Sequence, residues 1–505
     1  MQQPGKVSSR GAGANETKKK KDIALYQLPD GKPEDMGKPI DKKTLPKGIT
    51  SKMLYGDVIN IAWPSFIELM LTQLTSMADQ IMVGSLGSWA TTAVGLSTQP
   101  KFLMSTLFLS LNTGAMAMVA RNKGAGRQDK ANLILRQALM LNIIFAIVFS
   151  LVGFFSAEWL VRFMSGGDAI SEQAIMGGVS YLKIQFVGLF SMAITSTITS
   201  SLRGAGDSRT AMIYNTTANV VNVIFNYLLI YGKFGLPRME VTGASLATVI
   251  GQMAAMVMAI VAVSKKDKYL RITFPKGWYK PDKDSIVDMA KIGFPSMLEQ
   301  LAMRVGVVIY ARLVAGLGDQ LYATHTICMN IQALTFMNGQ AFAVSATSLV
   351  GQSLGKMRSD MAERYASCTR RVGQICALCI AIVVFFFGRN IIHLYNNTEP
   401  VIAETGSVIL KMVALIQPLQ AAQFILSGAL RGAGDTKFTA FVIMITVMIV
   451  RPLVAFITIT MLGWGLYGAW AALILDQLLR TGLIFLRFNN GKWKTAIKTR
   501  TAKAA

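Results

Sequence analysis

Stretches of 20 or more mostly apolar residues recur from Tyr55 to Phe488, and no other feature of the chain restricts its fold so strongly. A helix needs about 20 apolar residues to cross the hydrocarbon core of a bilayer. Each stretch therefore reads as a membrane span. The spans fall at about 55–82, 91–120, 131–156, 178–200, 209–232, 240–263, 285–315, 321–351, 366–388, 403–430, 437–460 and 465–487. Strands are excluded, because the runs are too long and lack the roughly 10-residue alternation of outer-membrane barrels. Only 15% of the 505 residues are charged, where a soluble domain carries roughly a quarter.

The net charge of +24 would raise nucleic acid as a partner in a soluble protein. Here the charge lies in the tails and between the spans. On the side that holds both ends of an even-numbered bundle lie 38 Lys and Arg; the opposite loops hold 4. Positive charge stays on the cytoplasmic side. The sequence thus predicts a multi-pass protein of the plasma membrane with both termini in the cytoplasm. Its partners are the bilayer and a small molecule, and it acts as a monomer. Residues 1–52, with Lys18-Lys19-Lys20-Lys21, read as a disordered basic tail without the apolar core of a secretory signal. Residues 264–284, with Pro275 and Pro281, read as a cytoplasmic linker, and 488–505 as a C-terminal tail. Cys328, Cys368, Cys376 and Cys379 read as small apolar side chains without a disulfide. His325 and His393 are placed near the external surface without a role.

The halves 53–263 and 285–487 align with each other. Trp63-Pro64-Ser65 with Glu68 matches Phe294-Pro295-Ser296 with Glu299 at an offset of 231, and the same offset pairs Gly87 with Gly318 and Gly124 with Gly355. Leu202-Arg203-Gly204-Ala205-Gly206-Asp207 recurs as Leu430-Arg431-Gly432-Ala433-Gly434-Asp435 at an offset of 228. Six helices per repeat insert both halves the same way up. The expected fold is all-α, with two six-helix lobes about a pseudo-twofold axis along the membrane normal and a cleft between them.

Carboxylates within spans cost at least about 2.5 kcal/mol on insertion scales, so their positions carry information. Glu68 and Asp79 lie 11 residues apart in the first span, about 20° from eclipsed at 3.6 residues per turn. Thr72 and Thr75 fall between them, which makes one polar stripe that must face the protein interior. Asn215, Asn219, Asn222 and Asn226 form a matching stripe in the fifth span. Amide carbonyls beside a carboxylate suit Na⁺, and a buried carboxyl can instead hold a proton. Asparagines also hydrogen-bond between membrane helices without any further role. In the second half Tyr310 replaces Asp79, while Glu299 matches Glu68. Arg304, Arg312, Arg451 and Asp476 are further ionisable groups within spans. Glu299 and Arg451 could form a switched pair, a static pair, or an arginine that snorkels to the surface. Pro64, Pro100, Pro418 and Pro452 are candidate kinks. Gln417, beside Pro418, joins the substrate or switch candidates Glu68, Glu299 and Arg451.

The doubled Leu-Arg-Gly-Ala-Gly-Asp, Pro64, the Asp79-Gln80-Ile81-Met82-Val83-Gly84 stretch and Gly293-Phe294-Pro295-Ser296 carry a resemblance. Over roughly residues 50–490 the chain resembles the MATE (multidrug and toxic compound extrusion) transporters, and the DinF-type bacterial branch more than the NorM-type. NorM-type members carry a functional Glu later in the seventh span, where this chain has Met303. The DinF-type pattern Asn-x-x-x-Asp in the fifth span reads here as Asn222 to Asn226, so one carboxylate is missing. The resemblance implies a two-lobed fold and export of organic cations or amphipathic drugs in exchange for Na⁺ or H⁺. It places the coupling-cation site at Asp79, Asn222 and Asn226, which would hold the metal ion if Na⁺ is used. The chain has no phosphate-binding loop and no catalytic constellation, so it reads as neither an ATPase nor any other enzyme, and it needs no cofactor. Two other readings remain: a flippase of a lipid-linked glycan or peptidoglycan precursor, which Arg304, Arg312 and Arg451 would favour if they line the cleft, and a non-transporting receptor or scaffold.

Overall fold

A computed structural model describes residues 23–36, 45–165, 170–273, 280–395 and 400–496. Among these the chain forms twelve long helices and no strand. They are α1 (Ser51–Gly84), α2 (Ser88–Gly124), α3 (Gln128–Ser165), α4 (Glu172–Gly204), α5 (Ser208–Tyr231), α6 (Glu240–Ser264), α7 (Lys283–Ala315), α8 (Asp319–Gly355), α9 (Ser359–Tyr395), α10 (Pro400–Ala433), α11 (Thr436–Met461) and α12 (Gly465–Asn489). Each expected span lies on one of them. Nine are long and apolar enough to cross a membrane, and α1, α5 and α8 fall short of that measure. In α1 and α5 the polar stripes lower the hydropathy, and the two helices pack side by side.

Helices α1 to α6 pack among themselves, as do α7 to α12, which gives two six-helix lobes. The helices are joined by tight turns that glycine permits. Gly206 and Gly434, equivalent in the repeated motif, have φ of 79° and 83°, a region a side chain resists. Asp207 then caps α5 by accepting from the Thr210 N–H at 3.3 Å and its hydroxyl at 2.9 Å. Burial would push the Asp207 carboxyl up, but hydrogen bonds from Lys268 and Thr210 hold it below the usual carboxylate value. Its counterpart Asp435 makes no such cap and accepts from Arg487 at 2.8 Å. Helix α11 widens into π-type turns at Met444–Val450 and Ile457–Met461, on either side of the segment that holds Pro452. A proline lacks the donor that a regular ladder needs.

The lobes meet where α2 crosses α7 and α8 and where α1 crosses α8. Glycines line this seam. A Cβ on Gly124 would overlap the main chain of Gln352, and one on its repeat partner Gly355 would overlap the main chain of Arg121. A Cβ on Gly293 would lie 2.9 Å from the Ser110 carbonyl. Because main chain cannot rotate away, Gly355→Val is expected to force the lobes apart at a cost of about 1–3 kcal/mol. Thermal unfolding in detergent checks this, and an unchanged midpoint would show that the seam tolerates bulk.

Hydrogen bonds that cross the seam gather near one face. Ser345 donates to the Val58 carbonyl (3.2 Å), Ser348 and Gln352 donate to the Gly204 carbonyl (3.1 Å each), and the Tyr365 hydroxyl donates to Asp57 (2.7 Å). Gly31 and Ala496, from the two ends of the chain, line one recess on that same face. The lobes are therefore closed on the side of the termini.

One expectation changes. Residues 23–36 were read as part of a disordered tail, but they form two short 3₁₀ turns, with Leu25 fully buried. Their apolar side chains fill a core between α1, α8 and α9. Residues 1–22 and 37–44 lie outside the described residues. In the C-terminal tail, Trp493 is buried and stacks on Phe488 with centroids 5.0 Å apart; residues 497–505 lie outside the description. His325 lies in the second turn of α8 and is buried among the rings of Tyr310, Tyr322 and Trp470. The His393 side chain is not among the described ones. The linker runs against α3, where Gln128 donates to the Tyr269 carbonyl at 2.7 Å and Gln137 to that of Lys280 at 3.0 Å. Its residues 274–279 lie outside the description.

Candidate functional site

The two polar stripes face each other and zip together. Asn215 donates to Glu68 at 2.6 Å, Asn219 to the Thr72 hydroxyl at 3.1 Å, and Asn226 to Asp79. Each rung joins residues 147 apart in sequence. A constant offset means that α1 and α5 run parallel and in register. Spacings of four and three on both helices keep the rungs on one face of each.

At the far end of the zip the groups are richer in oxygen. Asn226 is fully buried, and its side-chain carbonyl accepts no hydrogen bond. Asn222, also buried, can present either end of its amide. With its NH₂ toward the carboxylate it donates to Asp79 Oδ1 at 3.1 Å and accepts from the Thr248 N–H at 3.2 Å. Turned over, it donates to the Thr248 hydroxyl at 3.3 Å and presents its carbonyl to Asp79. The predicted trio Asp79, Asn222 and Asn226 is thus one cluster, and Thr248 of α6, absent from the sequence reading, supports it. Oxygen donors from a carboxylate and two amides match the preference of small hard cations.

The structure gives Glu68 and Glu299 a common arrangement. Glu68 pairs with Arg203 at 2.7 Å, and Glu299 pairs with Arg431 while accepting from Thr439 at 3.2 Å. Both arginines belong to the repeated hexapeptide, so each ties the first helix of its lobe to the last turn of the fourth. The pairing of Glu299 with Arg451 is overturned. Arg451 instead bonds Asp476, with Nε to Oδ2 at 3.0 Å, and Arg480 bonds the same oxygen at 2.6 Å. The Arg451 guanidinium also lies 5.8 Å from the centre of the Tyr310 ring. Depth alone could not choose between Arg431 and Arg451. The repeat could have, because a carboxylate present in both halves asks for a cation present in both.

Gln417 is buried between α10 and α8, where it donates to Thr335. Two further cations, one of them on the seam, were not matched to a partner by sequence. Arg304 of α7 lies over the Phe102 ring of α2 at 4.3 Å, across the two lobes. Lys101, the neighbour of Phe102, interacts electrostatically with Asp79 and makes no ion pair within 4.0 Å among the described residues. The sequence reading passed over Lys101. Its signal was a lysine 13 residues into a span, too deep for easy snorkelling.

Two repeated six-helix lobes, a seam tied by hydrogen bonds near one face, and a buried polar cluster between α1 and α5 define a membrane transporter. A model of the MatE family matches residues 64–228 and 295–457, one segment in each lobe. The chain belongs to the MatE family, whose members are transporters and not enzymes. Among curated relatives, the probable multidrug resistance protein NorM of Thermotoga maritima is 30% identical, over 88% of this chain and 94% of its own length. Multidrug resistance protein PmpM of Pseudomonas aeruginosa is 27% identical over 78% and 82%. Solved structures share the fold. An outward-facing multidrug resistance MATE family transporter of the MOP superfamily superposes with a TM-score of 0.80 at 21% identity, over 89% of this chain and 100% of that one. A MOP superfamily transporter from Pyrococcus furiosus, described as having a binding pocket of reverse polarity and a different function, superposes with a TM-score of 0.81 at 21% identity, over 90% and 100%.

Proposed function

We propose that the protein is a secondary antiporter of the plasma membrane that exports organic cations or amphipathic drugs by alternating access, in exchange for Na⁺ or H⁺. One observation carries this reading. Asp79 sits at membrane depth beside an Asn226 carbonyl that is buried without a donor and an Asn222 amide that can turn its oxygen inward. A buried acceptor without a partner costs about 1–3 kcal/mol, and a bound cation would relieve it. That oxygen favours Na⁺ as the coupling ion, because a proton on Asp79 needs only one acceptor. Asp79 can hold the small cation or attract an organic one, so one charge serves both and exchange follows.

The 38-to-4 distribution of basic residues supports cytoplasmic termini. The closed face is then the cytoplasmic one. Within the family, Asp79 in the first lobe and Met303 in α7 support the DinF-type branch, although relatives described above bear the name NorM. Dye efflux from vesicles under separately imposed Na⁺ and pH gradients tests the proposal. Efflux driven by a Na⁺ gradient alone is expected; efflux that follows neither gradient would sink it. Asn226→Asp places a second carboxylate beside Asp79, and two carboxylates sharing a site hold a proton to a higher pH than one. The pH profile of efflux is therefore expected to move toward alkaline values, and an unmoved profile would argue against the site.

A second reading has its own support. Arg304, over the Phe102 ring on the seam, adds positive charge between the lobes. That charge favours an anionic cargo such as a lipid-linked precursor. Uptake of such a lipid in the same vesicles, with no dye efflux, would select this alternative.

A further inference from the structure

We propose that residues 23–36 are a clasp that holds the two lobes closed on the cytoplasmic side and must let go of one of them in every transport cycle. The inference rests on the alternating-access reading above. Its basis is that one short segment binds both lobes at once.

On the first lobe, the Ala24 N–H donates to Asp57 at the start of α1 (2.9 Å), and the Lys123 ammonium of α2 lies 5.8 Å from the Tyr26 ring centre. On the second lobe, the Tyr26 hydroxyl donates to Gln352 of α8 (2.9 Å), and the Gly31 N–H donates to the Lys356 carbonyl (3.0 Å). The Ser359 hydroxyl donates to the Asp35 carbonyl at 3.3 Å. Tyr26 is the central contact. Its ring lies between two ammonium groups, Lys123 of one lobe and Lys356 of the other, the latter at 5.5 Å. Its hydroxyl bonds the same Gln352 that crosses the seam to Gly204.

Apolar contacts repeat the pattern. Ala24, Leu25 and Leu28 share a core with Leu54, Val58 and Ile61 of α1 and with Leu349, Leu354 and Tyr365 of α8 and α9. A surface made by two bodies exists only while they touch. If the lobes part on this side, the clasp loses half of its contacts. By mass action, whatever binds one conformation alone stabilises that conformation. The clasp therefore biases the protein toward the outward-open state.

The test measures the distance between spin labels at Arg209→Cys and Lys437→Cys, exposed positions on the two lobes at the cytoplasmic face, with Cys376 and Cys379 replaced by serine. The parent should show a dominant short distance and a minor long one. Tyr26→Ala should raise the long-distance fraction at least threefold. Tyr26→Phe keeps the ring and loses the bond to Gln352, so a smaller rise is expected. A parent that samples both distances, with both variants identical to it, would overturn the clasp and leave the transporter reading intact. A parent fixed at one distance under every gradient would overturn both.

Discussion

Asp79→Asn is expected to lower gradient-driven efflux at least about 100-fold, the scale set by losing a charged hydrogen-bonding partner worth about 3 kcal/mol, while folded protein accumulates to the parental level. The substitution preserves shape. The rungs Asn215 to Glu68 and Asn219 to Thr72 remain to hold α1 against α5. What disappears is the carboxylate that faces Asn222 and Asn226. Without it the Asn226 carbonyl has no companion charge with which to hold a cation. Lys101, which interacts with Asp79 across the first lobe, also loses its counter-charge. Efflux in vesicles and protein abundance in membranes are the two measurements. Persistent gradient-dependent efflux at normal abundance would remove Asp79 from the coupling site.

Asp476→Asn is expected to act on folding instead. Asp476 is fully buried between Arg451 and Arg480. The variant would leave two guanidinium groups in a low-dielectric interior with no anion between them, and breaking a buried pair in this way costs about 3–5 kcal/mol. A marked fall in the thermal midpoint in detergent is expected, with poor recovery from membranes. Replacing the whole cluster by Arg451→Met, Asp476→Leu and Arg480→Met should restore most of the loss, because apolar groups of similar volume escape the desolvation penalty. If Asp476→Asn folds normally but transports poorly, the cluster belongs to the transport machinery.

How much of this was legible before the coordinates differs by type of interaction. The twelve helices were readable because membrane depth demands a length and a composition; nine declare both, and the alternation of basic loops pointed to the other three. The α1–α5 zip was readable because four residues at spacings of four, three and four can only lie on one face. Helical geometry thus named the two stripes, and the family resemblance singled out Asp79, Asn222 and Asn226 among them. Pairings that depend on how a turn folds were not readable by depth. Glu299 finds Arg431, and not Arg451, because Arg431 in the last turn of α10 reaches α7, while Arg451 is held by Asp476. The 23–36 turns were hidden for another reason. Lysines, glycines and prolines dominate the tail by count, and the few apolar residues that anchor it, Leu25 and Leu28, signal nothing until α1 and α9 supply a surface.

The glycine-lined seam also bears on how such a chain can diverge. At Gly124, Gly293 and Gly355 the lobes touch through peptide units, and there the joint keeps no record of which side chains surround it. Residues nearby can drift, provided the few bare positions stay bare, and halves taken from distant members should still fit one another.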